Sequence, residues 1–361
     1  MAIMRNLITV LLVVATSYDL RASEPVDTLR QWYASKQVDW PKAITADGRK
    51  PIRLGPLLPK GPQANEEIIA LGKSLFHDPI LSKDNTVSCA SCHDSSTFFQ
   101  DGKGQSVGVR AQKGTRNAPP IFGVDHWKSF FWDGRAASAE EQALMPIENP
   151  IEMDLPVAKA VERLNSHTAY PVNFKQAFGT DTIDKTLLAS ALVAFERTIP
   201  APDTPYQEFI TAVSKGDTNA HLMLPDKALL GLHLFRTKAK CMSCHEGPLL
   251  SDNQFHVTGF HLYGRPFEDV GRIDATGKIE DIGKFRTPSL LGVTHTAPWM
   301  HNGLFIEFTP LIMQYNKGGF RPKPKGRLKD DPHFPITTSL IEPLGLDKDE
   351  IDALVVFLKT L

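Results

Sequence analysis

Apolar positions along this chain recur at helical spacing in short runs, separated by long polar stretches. Residues 68, 69, 71, 75 and 76 form one such stripe and predict a helix over 66–76, stopped before Asp78-Pro79. The most apolar helix expected is 187–196, and another strong one is expected at 225–235. The last runs over 348–359, with Asp347 as N-cap and Glu350 three residues on as a capping box. Weaker helical segments are expected at 27–37, 138–145, 156–165 and 310–317, the last capped by Thr309, opened by Pro310 and closed by Gly318. The stretch 95–120 is rich in Gly, Asp, Ser and Thr, and 247–285 is Gly-rich with room for a few short strands. A polar loop of that length inside a folded domain usually lines a site. The pattern predicts a mainly α fold with long loops and little β structure.

At 361 residues with 42% hydrophobic content, the chain can build two compact domains. The Pro- and Gly-containing stretch 23–66 reads as an extended lead-in wrapped over the first domain, with Trp32, Tyr33 and Trp40 as packing anchors. The first domain is expected over 67–205, a linker over 206–224 with Gly216 and Asn219 near its middle, and the second domain over 225–361. Arg5, the apolar run 7–15 and the small and polar residues up to Ala22-Ser23 predict an export signal over 1–22, too short to span a membrane. Leu20 makes cleavage after Ala22 imperfect, so an uncleaved anchor is the alternative. Charges balance at 40 Lys and Arg against 41 Asp and Glu, which argues against a nucleic-acid partner. The basic run Arg321-Pro322-Lys323-Pro324-Lys325-Gly326-Arg327-Leu328-Lys329 reads either as a solvated loop or as a docking patch for an acidic redox partner.

All 4 cysteines sit in two pentapeptides, Cys89-Ala90-Ser91-Cys92-His93 and Cys241-Met242-Ser243-Cys244-His245. Each is a complete C-x-x-C-H haem attachment sequence, in which two thiols bond the haem and the adjoining His offers its imidazole to iron. A lone C-x-x-C is ambiguous among zinc, thiol redox and haem; two copies that both run into His point to two covalent c-type haems. The motif histidines are 152 positions apart, which suggests one haem per domain, each cytochrome c-like. Covalent attachment of this kind is completed outside the bacterial cytoplasm and agrees with an exported, periplasmic protein.

The other face of each iron decides the function. A haem with a vacant position can meet peroxide, whereas a six-coordinate one passes electrons. No methionine lies between Met4 and Met145, no histidine between His93 and His126, and Val109, in the covering loop, cannot ligate. The first haem therefore reads as open, the alternative being His126, Met145 or Met153 folded back over it. Glu152 and Gln142 are candidates for that cavity. A desolvated Glu152 could move a proton between peroxide oxygens, or it could be a surface carboxylate in the turn between Pro150 and Pro156.

The motif order resembles the superfamily of bacterial dihaem cytochrome c peroxidases and MauG, which matures a tryptophylquinone cofactor in a protein substrate. The resemblance runs from about residue 71 to the C-terminus. It rests on Leu75-Phe76 to Leu81-Ser82, both C-x-x-C-H motifs, Arg116-Asn117-Ala118-Pro119, Trp132-Asp133-Gly134-Arg135, Glu152-Met153, Phe285-Arg286-Thr287-Pro288-Ser289-Leu290 and Met300-His301-Asn302-Gly303. It implies His93 as the proximal ligand of a peroxide-reactive haem, with Gln142 and Glu152 on the distal side. In many of the peroxidases a displaceable His lies sixteen residues past the motif His. Here that position is Val109, which implies a haem ready without prior reduction. The position of the second haem's methionine falls at Tyr315, which implies His245 and Tyr315 as axial ligands, with Met313 or Met300 as alternatives. A phenolate ligand favours ferric and higher iron states. The resemblance also implies Trp132 between the haems and one calcium ion held by Asn117, Thr296 and Pro298 through oxygen donors. The tryptophan that MauG carries shortly before its second motif is missing from Phe235-Arg236-Thr237-Lys238-Ala239-Lys240. Arg116, Arg135 and Arg286 are candidates to pair with haem propionates.

The function expected is a periplasmic dihaem peroxidase that reduces hydrogen peroxide through high-valent iron, with electrons from a small cytochrome c or cupredoxin. The alternatives are MauG-like oxidation of a protein substrate, favoured by Val109 and Tyr315, and a non-enzymatic dihaem electron carrier. A homodimer is compatible with the sequence.

Overall fold

The structure, a computed structural model, describes residues 25–60 and 63–361; the expected export signal lies outside the described residues. Its helices in chain order are α1 (Val26–Tyr33), α2 (Glu66–His77), α3 (Ala139–Glu148), α4 (Val157–Asn165), α5 (Tyr170–Phe178), α6 (Lys185–Glu196), α7 (Pro205–Ser214), α8 (Asp226–Arg236), α9 (Ile273–Thr276), α10 (Phe308–Asn316) and α11 (Lys348–Leu358). Among the described residues the only sheet is a two-stranded antiparallel pair, β1 (Phe255–Val257) and β2 (Lys284–Arg286), with Phe255 opposite Arg286. The fold is thus mainly helical with long loops. None of the described helices is long and apolar enough to cross a membrane.

Each motif is carried by a pair of helices in tight contact. In the first half, α2 crosses α6 at Gly72, where an added Cβ would meet the Ala191 carbonyl oxygen at 1.9 Å. In the second half, α8 crosses α11 at Gly231, where a Cβ would meet the Ala353 carbonyl oxygen at 2.1 Å. Only a residue without a side chain lets the helices approach this closely. The apolar stripe of α2 is buried as its spacing predicts, at Leu71, Leu75 and Phe76. The capping box of α11 forms in both directions, Asp347 Oδ1 accepting from Glu350 N and Glu350 Oε2 from Asp347 N, each at 2.9 Å.

The structure differs from the sequence expectations in four places. The lead-in covers the second half as well as the first: its end meets the first half, where the Leu58 carbonyl bonds His126, and its earlier part crosses to α8, which carries buried polar groups that need partners. Arg236 donates to Tyr33 Oη and to the Pro41 carbonyl, both at 2.8 Å, and its own carbonyl accepts from Ile44 N at 2.7 Å. The 206–224 stretch is no open connector: α7 buries Tyr206, Phe209 and Ile210, and Tyr206 N donates to the Thr360 carbonyl at 2.9 Å. Helix α5 was not expected; its Pro sits in the first turn and Gly179 closes it at φ +77°. Helix α10 starts at Phe308 with Glu307 before it, so Thr309 lies inside the helix and caps nothing.

Candidate functional site

Both pentapeptides fold into the same cradle. Each opens with one 3-10 turn, Cys89–Ser91 and Cys241–Ser243. The His93 amide then donates to the Cys89 carbonyl at 3.0 Å, and the His245 amide to the Cys241 carbonyl at 2.8 Å. His93 Nδ1 meets the Phe99 carbonyl at 2.9 Å and His245 Nδ1 meets the Leu250 carbonyl at 2.9 Å. A carbonyl can only accept, so Nδ1 carries the hydrogen and Nε2 is left with its lone pair, as an iron ligand requires. Burial holds both imidazoles below their ordinary pKa and therefore neutral.

The first cavity, of about 400 Å³, is lined by Cys89, Cys92 and His93 and by Trp132, Gln142 and Glu152. Asn149 Nδ2 donates to Glu152 Oε1 at 2.7 Å. Burial raises the Glu152 carboxyl above its ordinary range, against the opposing charge of Arg135 and the Asn149 bond. Of the alternative sixth ligands, Met153 lines this cavity, whereas His126 Nε2 is engaged at 2.8 Å by the Leu58 carbonyl. Val109 is fully buried, its amide donating to the Glu152 carbonyl at 2.9 Å. The covering loop thereby holds the backbone of the residue whose carboxyl enters the cavity.

The second cavity, of about 210 Å³, is lined by Cys241, Cys244, His245, Met300, Thr296 and Tyr315. Burial and the nearby Cys244 and Cys241 raise the Tyr315 phenol above its ordinary value. Met313, two positions earlier on α10, is 43% exposed and does not line the cavity. Cys244 Sγ also lies within 4.8 Å of Asp252 and His256, which bond each other at 2.8 Å; this thiol belongs to the attachment motif.

Trp132, Asn117 and Arg286 line both cavities and form their common wall. Trp132 Nε1 donates to the Asn117 carbonyl at 2.8 Å, and Asn117 Nδ2 to the Lys103 carbonyl at 2.8 Å. Thr296 lies against the second cavity, and Pro298 follows Ala297 through a cis peptide. Two contributors were not assigned to the site, or not placed in it, by sequence reasoning. Glu196 on α6 lines the first cavity, and burial, reinforced by Glu140, pushes its carboxyl up to about 8. One carboxylate in an otherwise apolar helical run was its only signal. Arg286, read from sequence as one of three unassigned arginines, proves to be the one shared by both cavities.

The donor set fits covalent haem. Each cavity offers two thiols and the motif imidazole with a free Nε2, the second cavity adding His301, whose buried Nε2 also has no partner, and the walls are mainly apolar side chains. The buried Arg286 Nε has no partner and can receive a carboxylate of the kind haem carries.

Comparison with known proteins gives a consistent result. A family model described as di-haem cytochrome c peroxidase matches residues 66–215. Over 310 residues the chain is 33% identical to the methylamine utilization protein MauG of Methylorubrum extorquens, covering 84% of this chain and 80% of that protein. Over 298 residues it is 32% identical to the cytochrome c551 peroxidase of Nitrosomonas europaea, covering 82% and 80%. The crystal structure of a MauG-like protein associated with microbial copper homeostasis matches with a TM-score of 0.71 at 30% identity, over 86% of this chain and 94% of that one.

Proposed function

The chain belongs to the di-haem cytochrome c peroxidase and MauG family of peroxidase-type oxidoreductases, and from that premise we propose that hydrogen peroxide is reduced in the His93 cavity while electrons enter through the His245 cavity. When bound, the two haems supply the redox chemistry, an iron that reacts with peroxide in the first cavity and one that relays electrons in the second. His93 and His245 would hold the irons through Nε2, each ring fixed by the carbonyl at its Nδ1. Glu152 carries the proton: Asn149 occupies Oε1, burial favours the neutral acid, and the carboxyl moves a proton from one peroxide oxygen to the other as water leaves. Gln142 orients the peroxide by hydrogen bonding, and Trp132 carries electrons across the common wall. Two electrons and two protons per peroxide yield two waters.

The observation that carries this reading is Glu152, a desolvated carboxyl facing the same cavity as His93. The test is titration of the as-isolated ferric, haem-loaded chain with stoichiometric peroxide, followed by absorption and EPR spectroscopy. One high-spin and one low-spin haem with prompt reaction are expected. Two low-spin haems inert to peroxide would return the carrier reading.

A second reading, peroxide-driven oxidation of a protein substrate, is favoured by Tyr315 on the second cavity, the position at which the resemblance puts the MauG ligand. In this proposal Tyr315 Oη would hold the second iron, and Tyr315→Phe is expected to alter the spectrum of that haem alone. The reductant then separates the two enzyme readings: turnover with a small cytochrome c or cupredoxin supports the first, and covalent oxidation of a protein partner supports the second. We place the protein in the periplasm on its expected export signal and on where covalent haem attachment takes place. Asn117 Oδ1 and the carbonyls of Thr296 and Pro298 are proposed to hold one calcium ion between the cavities, a role that chelation followed by repeated peroxide titration tests.

A further inference from the structure

The wall between the cavities contains more cations than anions. Arg116 bonds Asp269 at 2.7 and 2.8 Å and Asp133 at 2.5 Å. Arg135 shares Asp133 at 3.0 Å and lies over the Phe131 ring at 3.4 Å. Arg272 reaches the Asp133 carbonyl at 2.8 Å and pairs with Asp281 at 3.6 Å. Both carboxylates nearest the wall are thus already taken by Arg116 and Arg135. Arg286 is left with the Ser129 carbonyl at 3.1 Å and the face of Trp127 at 3.7 Å. It is 7% exposed, and its Nε has no partner. Apart from the longer-range attraction of Asp133, this guanidinium is buried without a paired anion, and such a site favours binding one. Arg286 is also the one arginine that lines both cavities.

We propose that Arg286 is the shared cationic anchor of the two cofactors: its guanidinium binds a haem carboxylate in the common wall, and its charge sets both reduction potentials together. This rests on the two-haem reading and not on which substrate donates the electrons. A fixed positive charge disfavours the ferric state, which carries one more positive charge than the ferrous, so its removal lowers both potentials. A planar five-donor fork with Nε free can grip a carboxylate through two parallel bonds. Arg286 is therefore a positioning residue; the proton chemistry belongs to Glu152.

The test uses the haem-loaded full chain as wild type, Arg286→Gln and Arg286→Lys. Covalent haem content and far-UV circular dichroism serve as controls, and both potentials are measured spectroelectrochemically without peroxide. In Arg286→Gln both potentials are expected to fall, and in Arg286→Lys, which keeps the charge, to return most of the way. Unchanged potentials, a shift at one haem only, or a Lys variant displaced as far as Gln would each overturn the proposal. If the Gln variant does not retain two haems, resonance Raman spectra of wild type and the Lys variant decide: displaced propionate bending bands support it, and identical bands reject it. Because no peroxide is present, failure here is distinct from failure of the peroxidase reading.

Discussion

The two halves bury their motif histidines in the same way and line the rest of each cavity with different chemistry. On the proximal side, a 3-10 turn, an amide bond back to the first cysteine and a carbonyl at Nδ1 recur almost atom for atom at His93 and His245. Elsewhere in the cavity lining, the first half presents a carboxyl and an amide, Glu152 from the turn after α3 and Gln142 from within α3. The second presents a phenol, Tyr315, from α10. The proximal geometry is local, set within a dozen residues. The distal group comes from a separate element, so it can diverge while the cradle stays fixed. On the proposed reading, one half serves proton-coupled chemistry and the other holds charge.

The sharpest way to break this contrast is Glu152→Gln, which keeps size and the Asn149 contact but removes the transferable proton. The rate of reaction with peroxide is expected to drop by about 10²- to 10⁴-fold in stopped-flow measurements, with the second haem's spectrum unchanged. A drop below tenfold would move the proton role elsewhere in the cavity.

Glu196 gives the next effect. Its carboxyl rises from an ordinary 4.5 to about 8 in the folded chain, so the native state binds more protons than the unfolded one between those values. Stability is therefore highest at and below pH 4.5 from this group, falls as pH rises through the window, and levels off above about 8, a loss on the order of 5 kcal/mol. Denaturant unfolding as a function of pH is expected to lose this slope in Glu196→Gln. An identical slope in wild type and variant would show that Glu196 does not titrate in that window.

The helix crossings probe whether the halves are mechanically alike. Gly72→Ala and Gly231→Ala each force a methyl into a backbone carbonyl, at an expected cost of about 3 kcal/mol by denaturant unfolding. Costs that differ by more than about twofold between the two variants would mean that the α2–α6 and α8–α11 pairs share geometry but not rigidity.

The parts of this design that can be read from the sequence are those written within one turn or one helix. The cradles follow from five consecutive residues, and α2, α6, α8 and α11 follow from their apolar spacing and caps. What could not be read is set by contacts between distant segments. The lead-in crosses to α8 because Arg236 needs Tyr33 and Pro41, some two hundred residues earlier. Helix α7 reads as a linker because Gly216 and Asn219 follow it closely, whereas its buried Tyr206, Phe209 and Ile210 are covered in part by the chain's last residues. The Arg286 imbalance appears only once four guanidiniums and three carboxylates meet around one wall.

The smallest expected effect bears on the second cavity. Met313 is the residue that a half-turn slip of α10 would bring to the iron, yet α10 leaves it 43% exposed while Tyr315 lines the cavity. Residues two apart on a helix differ by about 200° around its axis, so both cannot face one iron. Met313→Ala removes a half-solvated side chain that packs little, and its cost is expected to stay within about 0.5 kcal/mol. The absorption bands of both haems should be unchanged, since no bond to iron is lost. A changed spectrum of the second haem in Met313→Ala would mean that α10 turns in the loaded protein and that a thioether, not a phenol, closes that cavity.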